Sequence, residues 1–324
     1  MENLSPKIKT ALGVTCALGY AFSFQLADMF YKYTYNHSKV QAFEALLLRY
    51  ITSFVIIASH MLADRKSPLE SKSNTLYMVL ASVFKLAGSL FFHYSLAYID
   101  MGTSAVILAA MPPVSMVLAW LLLKEKTKLS ENLLGALSYV GVLLVVWTRL
   151  EAPKSDPYSY AIGIALCFLA VVCLSLYSVT LRKISGKSDL RKSLFHINLV
   201  GVVILCLAQL VLRTDFVLTK APVKFSWFLL IGGVVFFLAL LMEIVSLKCL
   251  NVGVIMIIRN TEFIWAYLYD IIFDGVYPTF VIILGILLIV LSASLIAINL
   301  MKDIQYVEGF KFVLSKIFGN KQKE

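Results

Sequence analysis

The sequence predicts an all-α membrane protein that crosses the bilayer many times. Of its 324 residues, 60% are hydrophobic and 15% are charged, against about 25% charged residues in an ordinary soluble domain. The apolar residues come in blocks of about 20, the length of helix that crosses a hydrocarbon core of about 30 Å. A soluble domain of this length could not bury so much apolar surface, so a water-soluble globule, a disordered chain and a fibrous repeat are excluded.

We predict ten transmembrane helices with short connections, which leave no room for an inserted soluble domain. Their approximate limits are 10–30, 43–62, 74–98, 101–123, 129–148, 158–181, 193–212, 226–247, 252–273 and 277–300. The first span follows Lys7 and Lys9 and could imitate a signal peptide. No small-residue cleavage site follows Asp28, so we interpret it as a true span.

The distribution of basic residues predicts the orientation. Of 29 Lys and Arg residues, 19 lie on the side that holds both termini and the even-numbered connections, seven lie on the other side and three lie within spans. Basic residues accumulate on the cytosolic side of membranes. We therefore expect both termini in the cytosol, and we interpret the formal charge of +10 as a signal of topology and of attraction to anionic lipid rather than to nucleic acid.

The tail at 301–324 is too polar to be a span. Its apolar residues Val307, Phe310 and Leu314 fall near helical spacing among lysines, which indicates a cytosolic amphipathic helix at the membrane surface. A loosely ordered tail is the alternative. On the opposite side of the membrane, Asn36 begins a formal glycosylation sequon that lies close to the bilayer.

The two halves of the chain repeat each other. A shift of 150 residues puts Gly13 on Gly163 and Gly135 on Gly285, and the order of the spans matches. Each half, 10–148 and 158–300, holds five predicted spans, an odd number, so the second half enters the bilayer from the opposite face. Inverted repeats of this kind are typical of secondary transporters, whose substrate binds near the midplane. A duplicated scaffold without transport is the alternative.

Ionisable residues within a span are costly and need a partner or a water-filled cavity. The candidates are Glu44, Arg49, Lys85, His93, Glu243, Arg259 and Glu262. Arg259 and Glu262, three apart around Asn260, share one helix face of the ninth span. With a shift of 151, Met111-Pro112-Pro113 in the fourth span falls opposite Glu262-Phe263-Ile264, and the two prolines break the fourth span and free backbone carbonyls. The alternative is an internal salt bridge and a packing kink.

Lys85 and His93 are eight apart in the third span, so they differ by about 80° around the helix and can face one cavity. A shift of 150 puts His93 opposite Glu243. A His and a carboxylate at related depth can carry protons, and Glu44 is a further candidate for proton coupling. A structural hydrogen bond between helices is the alternative. Tyr20 and Gln25 in the first span are candidate wall residues of the binding site.

No enzyme is expected. The sequence has no H-E-x-x-H, G-x-S-x-G, P-loop or G-x-G-x-x-G pattern. The five cysteines, at 16, 167, 173, 206 and 249, have no metal-ligand spacing, so we predict small buried thiols and neither a disulfide framework nor a metal site. We expect no cofactor.

Two stretches resemble a known family. Residues 94–125, from Tyr94-Ser95-Leu96-Ala97-Tyr98 through Pro112-Pro113 to Leu123-Lys124-Glu125, resemble the fourth-helix region of an EamA unit of the drug/metabolite transporter superfamily. Residues 246–278, through Arg259-Asn260-Thr261-Glu262, resemble solute carrier family 35, subfamily G. The resemblance implies a carrier that rocks between inward-open and outward-open states, with Arg259 at the central cavity. A G-A-L-N-K motif is only partly echoed at 135–139, which counts against a nucleotide-sugar substrate.

We therefore predict a secondary-active carrier of a small polar metabolite, which moves by alternating access. Arg259 and Lys85 favour an anion, but three basic and three acidic interior residues leave the sign of the charge open. The alternative is a non-transporting membrane adaptor that acts through its cytosolic tail and loops. The expected partners are a small-molecule substrate, the lipid bilayer and a second copy of the chain as a homodimer, with no nucleic acid. The membrane is an endomembrane or the plasma membrane.

Overall fold

A computed structural model gives the architecture of the chain. It describes residues 5–38, 42–65, 71–95, 107–125, 128–147, 157–186, 188–212, 222–274 and 279–318, and the single positions 40, 67, 98, 99 and 104. Throughout these ranges the regular structure is helical, in agreement with the predicted all-α class. The side chain of Asn36 and residues 319–324 lie outside the described part, so neither the sequon nor the chain end is placed.

The helices follow the predicted spans in order. They are α1 (Pro6–Ser38), α2 (Ala42–Ala63), α3 (Lys72–Ser95), α4 (Met111–Leu123), α5 (Leu129–Trp147), α6 (Pro157–Ser185), α7 (Leu190–Leu212), α8 (Val223–Cys249), α9 (Val252–Arg259), α10 (Glu262–Asp274) and α11 (Phe280–Phe318).

Seven of the described helices are long and apolar enough to cross a membrane, namely α1, α2, α3, α6, α7, α8 and α11. Two shorter apolar segments, Met111–Leu123 and Leu129–Leu144, lie in α4 and α5. The predicted ninth span, 252–273, differs from one continuous helix, because it is divided into α9 and α10 at Asn260 and Thr261. The N-terminal part of the fourth predicted span, 101–123, lies partly outside the described residues. The count of ten spans thus stays a prediction.

Polar and apolar side chains are arranged inside out relative to a soluble protein. Large apolar side chains such as Trp120, Leu210 and Phe280 are exposed on the outer faces of the helices, whereas Lys85 and Glu243 are buried at the centre. Exposed apolar patches of this extent are typical of surfaces that contact lipid or a partner. The multi-pass arrangement follows from this distribution.

The helices pack in pairs that cross between the two halves. Helix α1 lies along α8 and α3 lies along α6, while α5 packs on α11 and α2 on α7 and α8. The approach of α5 and α11 depends on a glycine, because a Cβ at Gly141 would lie 2.7 Å from the carbonyl oxygen of Gly285. These contacts bring α1, α3, α6, α8 and α9 together around one polar centre.

Helix α11 extends beyond its apolar segment, which ends at Leu300. The helix continues without a break to Phe318, because no proline interrupts this stretch. The sequence predicts a tail separate from the tenth span, whereas the structure joins 301–318 to that span as one helix. The placement of this tail on the membrane surface stays a prediction.

Candidate functional site

The polar centre begins at a break in the ninth span. Around Asn260 and Thr261 the backbone switches from α-helical bonds to i→i−3 bonds: the N–H of Asn260 donates to Ile257 O at 3.2 Å, and that of Thr261 donates to Ile258 O at 3.1 Å. Short 3₁₀ stretches within helices often mark hinges. The break places Arg259 at the end of α9 and Glu262 at the start of α10.

Arg259 lies between two carboxylates. Its Nε donates to Glu262 Oε2 at 3.2 Å, and its Nη1 is 3.8 Å from Glu243 Oε1 on α8. The side chains of Arg259 and Glu243 are 7% and 2% exposed, whereas that of Glu262 is 15% exposed. Arg259 is therefore paired but makes no two-pronged contact with either carboxylate, which leaves part of its planar fork for another acceptor.

Glu243 also joins the centre to the first half of the chain. The Nζ of Lys85 on α3 lies 3.1 Å from Glu243 Oε2, and the hydroxyl of Tyr177 on α6 donates to the same oxygen at 3.0 Å. The Lys85 and Glu243 side chains are 1% and 2% exposed. Two cations and two carboxylates thus form a charge-balanced cluster, Lys85, Glu243, Arg259 and Glu262, which we call the central cluster.

Aromatic rings hold the two cations of the central cluster. The Lys85 ammonium lies 4.6 Å from the ring centre of Tyr177 and 5.4 Å from that of Phe24. The Arg259 guanidinium lies 4.8 Å from the ring centre of Tyr20. Cation–π attraction strengthens where water is excluded, so these rings partly replace the lost hydration of the cations.

Three buried polar atoms around the cluster have no hydrogen-bond partner among the described residues. They are Tyr20 Oη, Glu243 Oε1 and Thr261 Oγ1. Leaving a buried polar atom unpaired costs roughly 1–3 kcal/mol, so native structures normally supply a water or a ligand at such points. Of these atoms, Tyr20 Oη and Glu243 Oε1 belong to residues that contact Arg259, so they offer a donor and an acceptor to a polar guest there.

Not every predicted wall residue joins the cluster. The Nδ2 of Asn260 donates to Ser138 Oγ on α5 at 2.9 Å, so this amide anchors the helix break. Gln25 is half-buried on α1, but it is rotated about 140° from Tyr20 around the helix. Phe24, four residues from Tyr20, shares the face of Tyr20 instead.

The two prolines lie where the fourth span resumes. Pro112 and Pro113 occupy the first turn of α4, a position at which proline is tolerated because its missing N–H would have no helical partner. A turn at Ala109 and Ala110 precedes them. Just beyond, Ser115 donates to Ser175 Oγ on α6 at 2.9 Å, which fixes α4 next to the helix that carries Tyr177.

The proton-coupling candidates fall at separate places. Glu243 lies in the central cluster, where Lys85 is its partner. The Nδ1 of His93 lies 2.7 Å from Ser89 O, and its ring packs edge-on against Tyr31. Glu44 is buried in the first turn of α2. His93 and Glu243 occupy equivalent positions of the two repeats at a shift of 150 residues, but the residue that pairs with the Glu243 carboxylate is Lys85.

A second ion pair lies further along α1. Arg49 on α2 donates through Nη1 to Asp28 Oδ1 at 2.6 Å and through Nη2 to the carbonyl of Ala27. Its guanidinium lies 5.8 Å from the ring centre of Tyr31. Arg49 on α2 is therefore paired with a residue on another helix, α1. Phe24, whose ring lies against Lys85, is a site residue that the sequence does not signal, because aromatic side chains are common in any membrane core.

Among the residues placed in the structure, no group of three or more His, Cys, Asp or Glu is arranged to hold a metal ion. The charged groups of the central cluster are paired with one another.

Known proteins share this fold and sequence pattern. Residues 11–147 match the EamA-like transporter family. Solute carrier family 35 member G1 of Mus musculus is 23% identical over 292 residues, which cover 87% of this chain and 77% of that protein. The Homo sapiens protein of the same name is 21% identical over 291 residues, with the same coverage.

One solved crystal structure superposes with a TM-score of 0.73 at 15% identity, covering 91% of this chain and 98% of the other. At that identity the likeness shows the fold alone. The sequence matches and the apolar helices together confirm the resemblance that residues 94–125 and 246–278 predicted. The chain is a multi-pass membrane protein similar to the EamA-type transporters of small solutes and, among them, to solute carrier family 35, subfamily G.

Proposed function

We propose that the chain is a secondary-active carrier that moves a small polar, anionic metabolite by alternating access, with the central cluster as its binding site. The observation that carries the proposal is Arg259, buried at a helix break with one hydrogen bond to Glu262 and a longer contact to Glu243, whose second oxygen has no hydrogen-bond partner. A charge kept at this depth without a role would only reduce stability.

The proposed inverted repeat, 10–148 and 158–300, has support in the packing. In an inverted repeat, α1 corresponds to α6 and α3 corresponds to α8. The repeat therefore predicts that the α1–α8 contact has a counterpart between α6 and α3, and both contacts exist. The same exchange, at a shift of 151, carries the turn at Ala109 and Ala110 onto the break at Asn260 and Thr261. Pro112 and Pro113 follow the turn at Ala109 and Ala110, and Phe263 and Ile264 follow the break at the corresponding positions. A two-fold relation of this kind lets one arrangement convert into its mirror across the membrane.

The charge balance of the central cluster favours an anion that competes with carboxylates. Lys85 and Arg259 are each paired with a glutamate. An incoming carboxylate or phosphate can take the place of Glu262, which is the more exposed of the two acids. Tyr20, whose ring lies against Arg259, then supplies its hydroxyl to the polar remainder of the substrate.

Glu243 is the group through which a proton could be coupled to substrate movement. It binds Lys85 and Tyr177 with one oxygen, while its other oxygen faces Arg259 without a hydrogen bond. Protonation of Glu243 would release both cations toward a substrate anion. We keep His93 and Glu44 as secondary candidates, because both are within the bundle but pair elsewhere.

Ligand-induced stabilisation tests the proposal. Purified protein is heated with a panel of small carboxylates, phosphates and amino acids, because a ligand that binds the folded state raises its apparent stability. We expect at least one anion to stabilise the wild type, Arg259→Ala to abolish that shift, and Arg259→Lys to weaken it.

Arg191→Ala is the matched control, since Arg191 lies at a helix start outside the cluster and pairs with Asp64. It should keep the ligand-induced shift. A shift that persists in Arg259→Ala, or flux through reconstituted vesicles that this variant leaves intact, would refute the central cluster as the substrate site.

We also infer that both termini face the cytosol, in either an endomembrane or the plasma membrane. The support is the excess of basic residues on that side. Protease protection of tags at each end, in sealed vesicles of known orientation, tests it: both tags should be cleaved from the cytosolic face alone.

A further inference from the structure

A second polar network joins the ends of four helices, about one helical turn beyond the central cluster. At its centre is Arg182, near the end of α6. Its Nε donates to Glu125 Oε1 at 2.9 Å, its Nη1 to Leu247 O at 2.6 Å, and its Nη2 to Asn251 Oδ1 at 3.3 Å. One guanidinium thus contacts the end of α8, the residue before α9 and the segment that follows α4.

Glu125 completes the network by holding the start of α9. Its second oxygen, Oε2, accepts the backbone N–H of Val252 at 3.3 Å. The N–H groups at a helix start have no partner within the helix, and a negative charge there is favourable. Glu125 therefore joins Arg182 to the first residue of α9, and we call this pair the α9 clamp.

Helix α9 is a short rod with a fixed point at each end. It has eight residues, all of them buried, and spans about 12 Å at 1.5 Å per residue. The α9 clamp holds its first residue, while the Asn260–Ser138 hydrogen bond holds the break just beyond its last. Arg259 lies between these anchors, so a displacement of the first turn of α9 is transmitted to the guanidinium of the central cluster.

The α9 clamp lies on one side of the bundle, at the ends of α4, α6 and α8 and the start of α9. In the proposed orientation that side is cytosolic. The elements that meet there come from both halves of the chain, because Glu125 follows α4 and Arg182 ends α6. A movement that separates the segment after α4 from the end of α6 breaks this contact.

We propose that the Arg182–Glu125 pair is the cytosolic gate of the central cluster and that it sets the position of Arg259 through α9. This inference rests on the proposed function for the carrier role and for the assignment of this side to the cytosol. It does not depend on the identity of the substrate. Arg182 and Glu125 are positioning residues and touch no part of the proposed substrate site.

The exposure of the pair suits a contact that opens and closes. The Arg182 and Glu125 side chains are 22% and 19% exposed, between the fully buried Lys85–Glu243 pair and an ordinary surface pair. Fully exposed pairs stabilise little, and fully buried ones are strongly destabilising to break. Water can replace the partners of Arg182 and Glu125 as they separate, so the contact is strong enough to hold the closed state and weak enough to be released.

Accessibility of a reporter cysteine tests the gate without a known substrate. Thr261→Cys, within the helix break, is introduced after the five natural cysteines have been replaced by alanine. A membrane-impermeant methanethiosulfonate reagent is applied from the cytosolic face of sealed vesicles, and the labelling rate is measured. Because a minor conformation is commonly 0.1–10% populated, we expect Arg182→Ala and Glu125→Gln each to raise the rate about tenfold.

Lys183→Ala is the matched control. Lys183 is the neighbouring cation on α6, but it bonds to Tyr77 and takes no part in the α9 clamp, so its removal should leave the labelling rate unchanged. The conservative variant Arg182→Lys keeps the positive charge but not the three separate N–H donor nitrogens, so it should give a labelling rate between those of the wild type and Arg182→Ala. It also serves if Arg182→Ala fails to fold.

Two results would overturn the gate: unchanged labelling in both clamp variants, or an equal increase in Lys183→Ala. An increase seen only from the opposite face would refute the assignment of its side. Failure of the proposed function is distinguishable, because it appears as a missing ligand-induced shift while the labelling rates still respond to the clamp.

Discussion

Lys85 on α3 and Glu243 on α8 form an ion pair of 3.1 Å at the centre of the bundle, with both side chains almost fully buried. The pair joins the first half of the chain to the second. The same Glu243 oxygen accepts the Tyr177 hydroxyl, so α6 is attached to the pair as well. An ion pair and a hydrogen bond therefore join α3, α6 and α8 at the centre of an otherwise apolar helix bundle.

Removing one member of this pair should be strongly destabilising. Lys85→Met leaves the Glu243 carboxylate without its ammonium, and breaking a buried pair typically costs about 3–5 kcal/mol. The double variant Lys85→Met/Glu243→Leu should recover most of that loss, since it removes both charges. The free energy of unfolding, measured by SDS titration in mixed micelles, checks this; an additive double variant would mean that the two residues do not interact.

The contact between α5 and α11 should tolerate no methyl group at Gly141. A Cβ there meets the Gly285 carbonyl at 2.7 Å, and a backbone atom cannot move aside. Gly141→Ala should lower the free energy of unfolding by about 1–3 kcal/mol. Gly186→Ala, where a Cβ meets nothing within 4 Å, is the control and should change little. Equal stability of the two variants would contradict the close approach of these helices.

The bond between Asn260 and Ser138 should act as a single unit. Asn260→Ala and Ser138→Ala each remove one partner of a buried hydrogen bond, so each should cost about 1–3 kcal/mol. The double variant should cost clearly less than the total of the two. A double-mutant cycle of thermal unfolding measures the coupling energy, and a value near zero would show that Asn260 is not anchored at α5.

The pair Arg49–Asp28 should respond unequally to loss of either member. Asp28 is 23% exposed and can bind water when Arg49 is absent, whereas Arg49 is 2% exposed and cannot. Asp28→Ala should therefore destabilise the protein more than Arg49→Met, because it leaves a buried charge uncompensated. Unfolding curves of the two variants compare the losses, and the reverse order would indicate that another residue neutralises Arg49.

Hydropathy was sufficient to predict the helical membrane class and the positions of most helices, because the length of an apolar block is set by the bilayer itself. The break of the ninth span was not predicted as a helix end. Its residues, Arg259 to Glu262, include neither glycine nor proline, and the break is stabilised by the contact of Asn260 with Ser138, which lies far away in the sequence.

The sequence also indicated several residues of the candidate site, but not all of their contacts. The rarity of buried charges identified Lys85, Arg259 and Glu262, and the structure brings all three into one cluster with Tyr20. Sequence spacing could not predict that Glu243 pairs with Lys85 instead of His93, because the contact depends on how α3 and α8 are rotated about their axes. Rotation about a helix axis is decided by packing, which no local pattern encodes.

The backbone at Asn260 and Thr261 has a consequence for peptide hydrogen bonding within the membrane. The N–H groups of Asn260, Thr261, Phe263 and Ile264 all bond to carbonyls three residues back, so the chain interrupts its α-helix without leaving these peptide donors unpaired. An unpaired peptide group in a water-free interior would cost several kcal/mol, and the tighter turn avoids that cost while it separates α9 from α10.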